Sequence, residues 1–195
     1  MAVNPSAFHQ LNVTDACAVW NILSSKILCQ AAISAGCVFS CTRFVYYECL
    51  IKPRKTVLDE DIELQHRLKQ ERKRGQFQDY HLEIGDLLEV ELLERRRNLG
   101  KGELSSMAFA KRTRQAFLTD DQGARRLAEQ IMESRMIQTT PHLFGWLFYI
   151  GILMDQDKDV IIEEHESLRR PLTEFFEAIY MKSLEYKLLA CGINT

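Results

Sequence analysis

The amino-acid sequence predicts an α/β fold: a three-layer α/β/α sandwich with a central parallel sheet, extended at its C-terminal end by extra helices. Three observations lead there. Short apolar runs alternate along the chain with longer stretches of helical period. Two of those runs end in acidic residues, Thr14-Asp15 and Thr119-Asp120-Asp121, where a helix is about to begin. Beyond Thr139 the strand-like runs stop and only helical periodicity remains. A chain of 195 residues, 46% hydrophobic and 27% charged, suits one domain that buries a core without disulfides or metal. No repeat or low-complexity linker divides residues 1–195, so a core of about 9–155 is expected to run into a helical extension over 156–195.

The elements follow in order. Leu11–Asp15 reads as a strand, and Ala16 to about Ala35 as one helix with Val19, Ile22, Leu23, Ile27 and Ala31 on its apolar face and Gly36 closing it. Cys37–Ser40 is a second strand, and Thr42–Ile51 a helix ended by Lys52-Pro53. Asp59–Gly75 passes from acidic to basic, as a solvated helix aligned with its own dipole would, although Arg72-Lys73-Arg74 also suits phosphate contact. Phe77–Leu82 is a third strand, followed by an amphipathic helix, Ile84–Arg97, with Leu87, Leu88, Val90, Leu92 and Leu93 inward. Helix Glu103–Arg114, strand Ala116–Thr119, helix Gly123–Arg135 and a last short strand Met136–Thr139 complete the alternation. The remainder is helical: apolar Pro141–Met154, amphipathic Val160–Arg169, and, beyond Pro171, Leu172–Leu189 with Phe175, Phe176, Ile179, Tyr180 and Leu184 as core or interface.

Bulk properties exclude several classes. A net charge of −2 argues against coating nucleic acid by global charge, while leaving a local basic face open. The N-terminus lacks the charged and apolar regions of a secretory signal, and no apolar run reaches the roughly 20 residues of a bilayer span, so a cytoplasmic protein without a membrane partner is expected. The six cysteines lack the second half of a zinc site, and are expected as reduced thiols filling core space.

The chemistry gathers at one edge. In an open α/β sheet the strand C-termini face the ligand-binding crevice, which brings Asp15, Glu103, Asp120 and Asp121 together. Each alone reads as a helix cap. Crowded carboxylates repel and hold their protons unless a cation balances them, and an oxygen-only set suits Mg2+ or Mn2+. Glu48 sits in a mostly apolar helix, where an unpaired carboxylate is costly; its simplest partner is Arg43 or Lys52.

Over residues 9–155 the chain resembles the PIN-domain nucleases, metal-dependent ribonucleases with a three-layer sandwich. The resemblance is carried by Thr14-Asp15, by Glu48, by Gly100-x-Gly102-Glu103 with Ser106, Ala108 and Ala110, and by Leu118-Thr119-Asp120-Asp121. Gly100-x-Gly102-Glu103 with its following alanines, and Ala124-Arg125-Arg126-Leu127-Ala128, are similar to a branch often found in toxin–antitoxin modules. The resemblance implies a catalytic set of Asp15, Glu48, Glu103 and the Asp120/Asp121 pair. Asp15 would be the principal metal ligand, Glu103 a further one, and either aspartate of the pair the fourth acid. Thr14 and Thr119 would hydrogen-bond ligand or water, and Asn21 and Arg125 would lie near the phosphate. One or two divalent ions would polarise a phosphodiester and activate water for in-line attack, with Arg95–Arg97, Lys111-Arg112 and Arg114, or Arg125-Arg126 holding RNA. The segment between Lys52 and Gly100, and the tail after Asp155, depart from compact members.

The function expected is therefore an endoribonuclease; the resemblance further implies a toxin restrained by a small antitoxin, and the C-terminal tail suits a homodimer. The alternatives are a non-catalytic PIN-like scaffold docking partners through its C-terminal helices, and a DNA-directed nuclease.

Overall fold

The computed structural model describes residues 4–54, 56–96 and 99–192. Five strands, β1 (Leu11–Thr14), β2 (Val38–Thr42), β3 (Gln78–Tyr80), β4 (Ala116–Leu118) and β5 (Ile137–Gln138), form one sheet in the order β3-β2-β1-β4-β5. Every pairing is parallel. Among the described residues ten helices flank it: α1 (Ala16–Ser24), α2 (Lys26–Ser34), α3 (Arg43–Leu50), α4 (Asp59–Lys73), α5 (Ile84–Glu94), α6 (Lys101–Thr113), α7 (Gln122–Ala128), α8 (Thr140–Tyr149), α9 (Asp155–Ser167) and α10 (Thr173–Gly192). This is the expected α/β architecture.

Alternation along the strands builds the layers. In β4, Phe117 enters the apolar cluster formed with α5, α6 and α7, whereas Leu118 enters the larger cluster with α1, α2, α8, α9 and α10. The last two helices share that core. Phe144 stacks on Phe176 at 4.4 Å, Phe148 meets Tyr180 at 5.0 Å, and Ser183 donates to the Gly145 carbonyl at 2.9 Å. Phe176 is buried as expected, but Phe175 points to solvent.

Three elements differ from expectation. The helix drawn from Ala16 to Ala35 is two, bent by 102° at Ser25. The Ser25 hydroxyl caps α2 by accepting from the Leu28 amide at 3.0 Å, and Arg67 donates to the Leu23 and Ser24 carbonyls at 2.9 Å. Those contacts satisfy the backbone groups that the break would leave bare. Helix α7 stops at Ala128 rather than Arg135, and a separate 3-10 turn, Ser134–Met136, leads into β5. In α5, Val90 and Leu93 face inward, but Leu87, Leu88 and Leu92 are exposed. Buried Asp86, ion-paired with Arg112 at 2.7 Å, fixes that rotation. Among the described residues no single helix is long and apolar enough to cross a membrane. All six cysteines are free; four are buried, Cys17 is half-buried, and Cys191 is exposed rather than in the core.

The α8–α10 contact leaves no room for a methyl group at Gly145, whose Cβ would lie 2.4 Å from Ile179 Cγ1 and 3.0 Å from Ser183 Oγ. Gly145→Ala is expected to lower stability by about 1–3 kcal/mol, read as a lower urea midpoint at unchanged slope. An unchanged midpoint would mean that α10 is held elsewhere.

Candidate functional site

The strand order places the site. From β1 the chain winds outward through β2 to β3, and then returns to the other side of β1 with β4 and β5. The reversal falls between β1 and β4, the position at which open α/β sheets offer a crevice outside the strand C-termini. Asp15 follows β1 there, and Thr119-Asp120-Asp121 follows β4.

Asp15 is completely buried. One carboxylate oxygen caps α1 by accepting from the Ala18 amide at 2.8 Å, and the other accepts from the Thr119 hydroxyl. The same Thr119 oxygen accepts from the Asp121 amide at 3.1 Å, so one side chain ties the end of β4 to the end of β1. Burial pushes the Asp15 pKa up to about 7; its two hydrogen bonds oppose that rise, and the charges of Asp120 and Glu103 add to it. Asp120 is also raised, again chiefly by burial. It accepts from the Thr140 amide at 2.9 Å, the Thr140 hydroxyl at 2.6 Å and Asn21 Nδ2 at 2.7 Å, while the Arg125 charge draws it down. Asp121 has a different task. It caps α7, accepting from the Ala124 amide at 2.6 Å.

Two glycines build the opposite wall. Glu103 accepts from the Gly100 amide at 2.7 Å, and its pKa is raised by burial and by the charges of Asp121 and Glu48. Glu48 accepts from the Gly102 amide at 3.2 Å. A Cβ on Gly102 would lie 2.2 Å from Glu48 Oε2, so this approach requires glycine. The expected Glu48 ion pair is not formed: Arg43 pairs instead with Asp79 at 2.9 Å.

The structure thus gathers the five acids into one electrostatic field, in which Asp15 senses Asp120 and Glu103, and Glu103 senses Asp121 and Glu48. Asn21 and Thr119 touch the cluster directly. Thr14 does not; its hydroxyl donates to the Ser40 carbonyl at 2.9 Å. Arg125 influences Asp120 through its charge. Sequence reasoning missed Thr140, which holds Asp120 with two donors; its signal was Thr-Thr-Pro at a helix start, where the first threonine was expected to end a strand.

The donor set fits a hard cation. It consists of carboxylate, hydroxyl and amide oxygens, and Cys17, a sulfur within the field of Asp15 and Asp120, is a thiol whose pKa burial pushes up to about 12. The ion pairs among the described residues lie elsewhere, so no lysine or arginine neutralises the five acids at short range. As the side chains stand, each carboxylate turns toward backbone or side-chain donors, and no group of three or more acidic, histidine or cysteine side chains among the described residues is arranged to hold a metal ion. Comparison of the chain with protein-family models, curated proteins and solved structures finds no match.

Asp15 has a measurable pH signature. In the unfolded chain it ionises near 3.8, and in the folded protein near 7, so between those values the folded state holds the extra proton. Its contribution to stability is fully present below the unfolded value and is lost as pH rises toward 7. The loss is at most about 1.4 kcal/mol per pH unit. Asp15→Asn retains a capping oxygen and removes the titration, so its urea stability is expected to fall less than the parent's over this window in the absence of divalent ions. Parallel curves would show that Asp15 ionises normally.

Proposed function

We propose that the protein is a divalent-metal-dependent nuclease acting on RNA, with its centre at the β1–β4 crevice. One observation carries this reading: five carboxylates at the sheet's reversal point, three of them (Asp15, Glu103 and Asp120) with pKa values raised mainly by burial, share a field without a short-range basic counter-ion. Such a cluster is costly unless something cationic binds there.

In this reading Asp15 and Asp120 hold the cation, flanked by Glu103 and Asp121, with Glu48 completing the acidic wall. Mg2+ or Mn2+ supplies Lewis-acid stabilisation of the charge that develops on a phosphodiester. The protein's own groups keep the acids in place. Thr119 and the Ala18 amide orient Asp15, Thr140 and Asn21 orient Asp120, and the Gly100 and Gly102 amides hold Glu103 and Glu48. RNA as the substrate, and a small antitoxin as the restraining partner, rest on the PIN-like motifs. The competing reading is a scaffold whose acids are only caps. It is favoured by the hydrogen bonds that each carboxylate already makes to backbone or side-chain donors.

Calorimetric titration with Mn2+ and a labelled-RNA cleavage assay on the same samples separate the two. Binding and cleavage are expected in the parent, with cleavage reduced at least about 100-fold in Asp15→Asn and in Asp120→Asn. No binding at millimolar metal, or cleavage that survives both substitutions, would leave the carboxylates as helix caps.

A further inference from the structure

Several basic side chains of α3, α4 and α6 are already engaged in ion pairs. Arg112 pairs with Asp86 and Glu83 at 2.7 and 2.9 Å, Lys111 pairs with Glu89 at 2.7 Å, and Arg72 and Arg43 share Asp79. Arg125 and Arg126 on α7 are different. Neither takes part in an ion pair among the described residues, and Arg126 is exposed. With Gln122 and Glu129 they occupy positions three and four apart, so all four line one side of a cleft of about 900 Å3. Arg135 contributes a third cation to it, held only by an exposed pair with Glu133 that solvent screens.

The cleft adjoins the acidic edge through the chain. Gln122, in its lining, follows Asp121 directly, and Thr139, also in its lining, precedes the Thr140 that holds Asp120. Aromatic side chains join the cations in the lining. Phe8 stacks on Trp146 at 5.2 Å, and His142 meets Phe8 edge-on at 5.3 Å, with its Nε2 2.8 Å from the Asn4 carbonyl. Cations beside an aromatic surface are what an unpaired strand needs: phosphates for the cations, and a ring face for a base that is not stacked in a duplex.

We propose that this cleft is the groove that carries single-stranded RNA away from the acidic centre, with Arg125 and Arg126 on neighbouring phosphates and a base against the half-buried Phe8 ring, which stacks on the buried Trp146. The inference rests on the nuclease reading for its choice of ligand, and its binding test is independent of cleavage.

A second cleft, of about 580 Å3 between α3 and α4, supplies the control, since its Lys69 is an exposed cation away from the β1–β4 edge. The test is fluorescence anisotropy of a labelled single-stranded oligoribonucleotide in EDTA, repeated across a salt series. The double variant Arg125→Glu with Arg126→Glu is expected to bind at least tenfold more weakly. Arg125→Ala with Arg126→Ala is expected to flatten the slope of log K against log salt by about 1.4 units, two phosphate contacts' worth. Lys69→Glu is expected to change affinity less than twofold.

Equal losses in the arginine and lysine variants, unchanged affinity in the arginine variants, or equally tight binding of duplex RNA would overturn the proposal. Arginine-dependent binding by a parent that fails to cleave with Mn2+ would remove the nuclease reading and leave the groove standing. Metal-dependent cleavage at subsaturating RNA that is undiminished by the arginine substitutions would do the reverse.

Discussion

A buried carboxylate joined to a threonine on the neighbouring strand is the constraint on which the acidic edge depends. Asp15 follows β1, Thr119 follows β4, and their hydrogen bond joins the two strand ends at the sheet's reversal. Through its carboxylate Asp15 starts α1, and through its hydroxyl Thr119 also receives the amide of Asp121, which starts α7. Two strands and two helices therefore meet on a single side-chain pair. The cost is a carboxyl group with no solvent, whose pKa rises to about 7 as a result.

The remaining acids are held by the same device, a backbone amide offered to a carboxylate. Gly100 and Gly102 present amides to Glu103 and Glu48, and the absence of a side chain at Gly102 lets Glu48 approach. Asp120 stands apart because Thr140, at the start of α8, supplies both an amide and a hydroxyl. The cluster is thus assembled from groups that stabilise negative charge by hydrogen bonding rather than by ion pairing. Hydrogen bonds of that kind orient the carboxylates without cancelling their charge.

Much of this was legible in the sequence, for identifiable reasons. Strands flanked by helix starts are visible as changes of period, and each of Asp15 and Asp121 lies at a cap position that its neighbours announce. What stayed hidden depends on distant contacts. The break at Ser25 relies on Arg67, some forty residues away, to satisfy the carbonyls it frees. The outward turn of Leu87, Leu88 and Leu92 follows from the buried Asp86–Arg112 pair, which hydrophobic periodicity does not register. Glu48 was expected to find a cation within its own helix and finds a glycine amide on α6 instead. Asp120 and Asp121 were interchangeable on spacing, and the structure divides them: Asp120 lies within the field of Asp15, whereas Asp121 caps α7.

The most direct test of the central claim is an NMR titration of the Asp15 side-chain carboxyl carbon, with and without saturating Mg2+. Without metal the midpoint is expected at about 7, and with Mg2+ it is expected to drop below the ordinary aspartate value near 3.8. A midpoint near 7 that Mg2+ leaves in place would contradict the account, because the buried carboxyl would then be serving the fold alone.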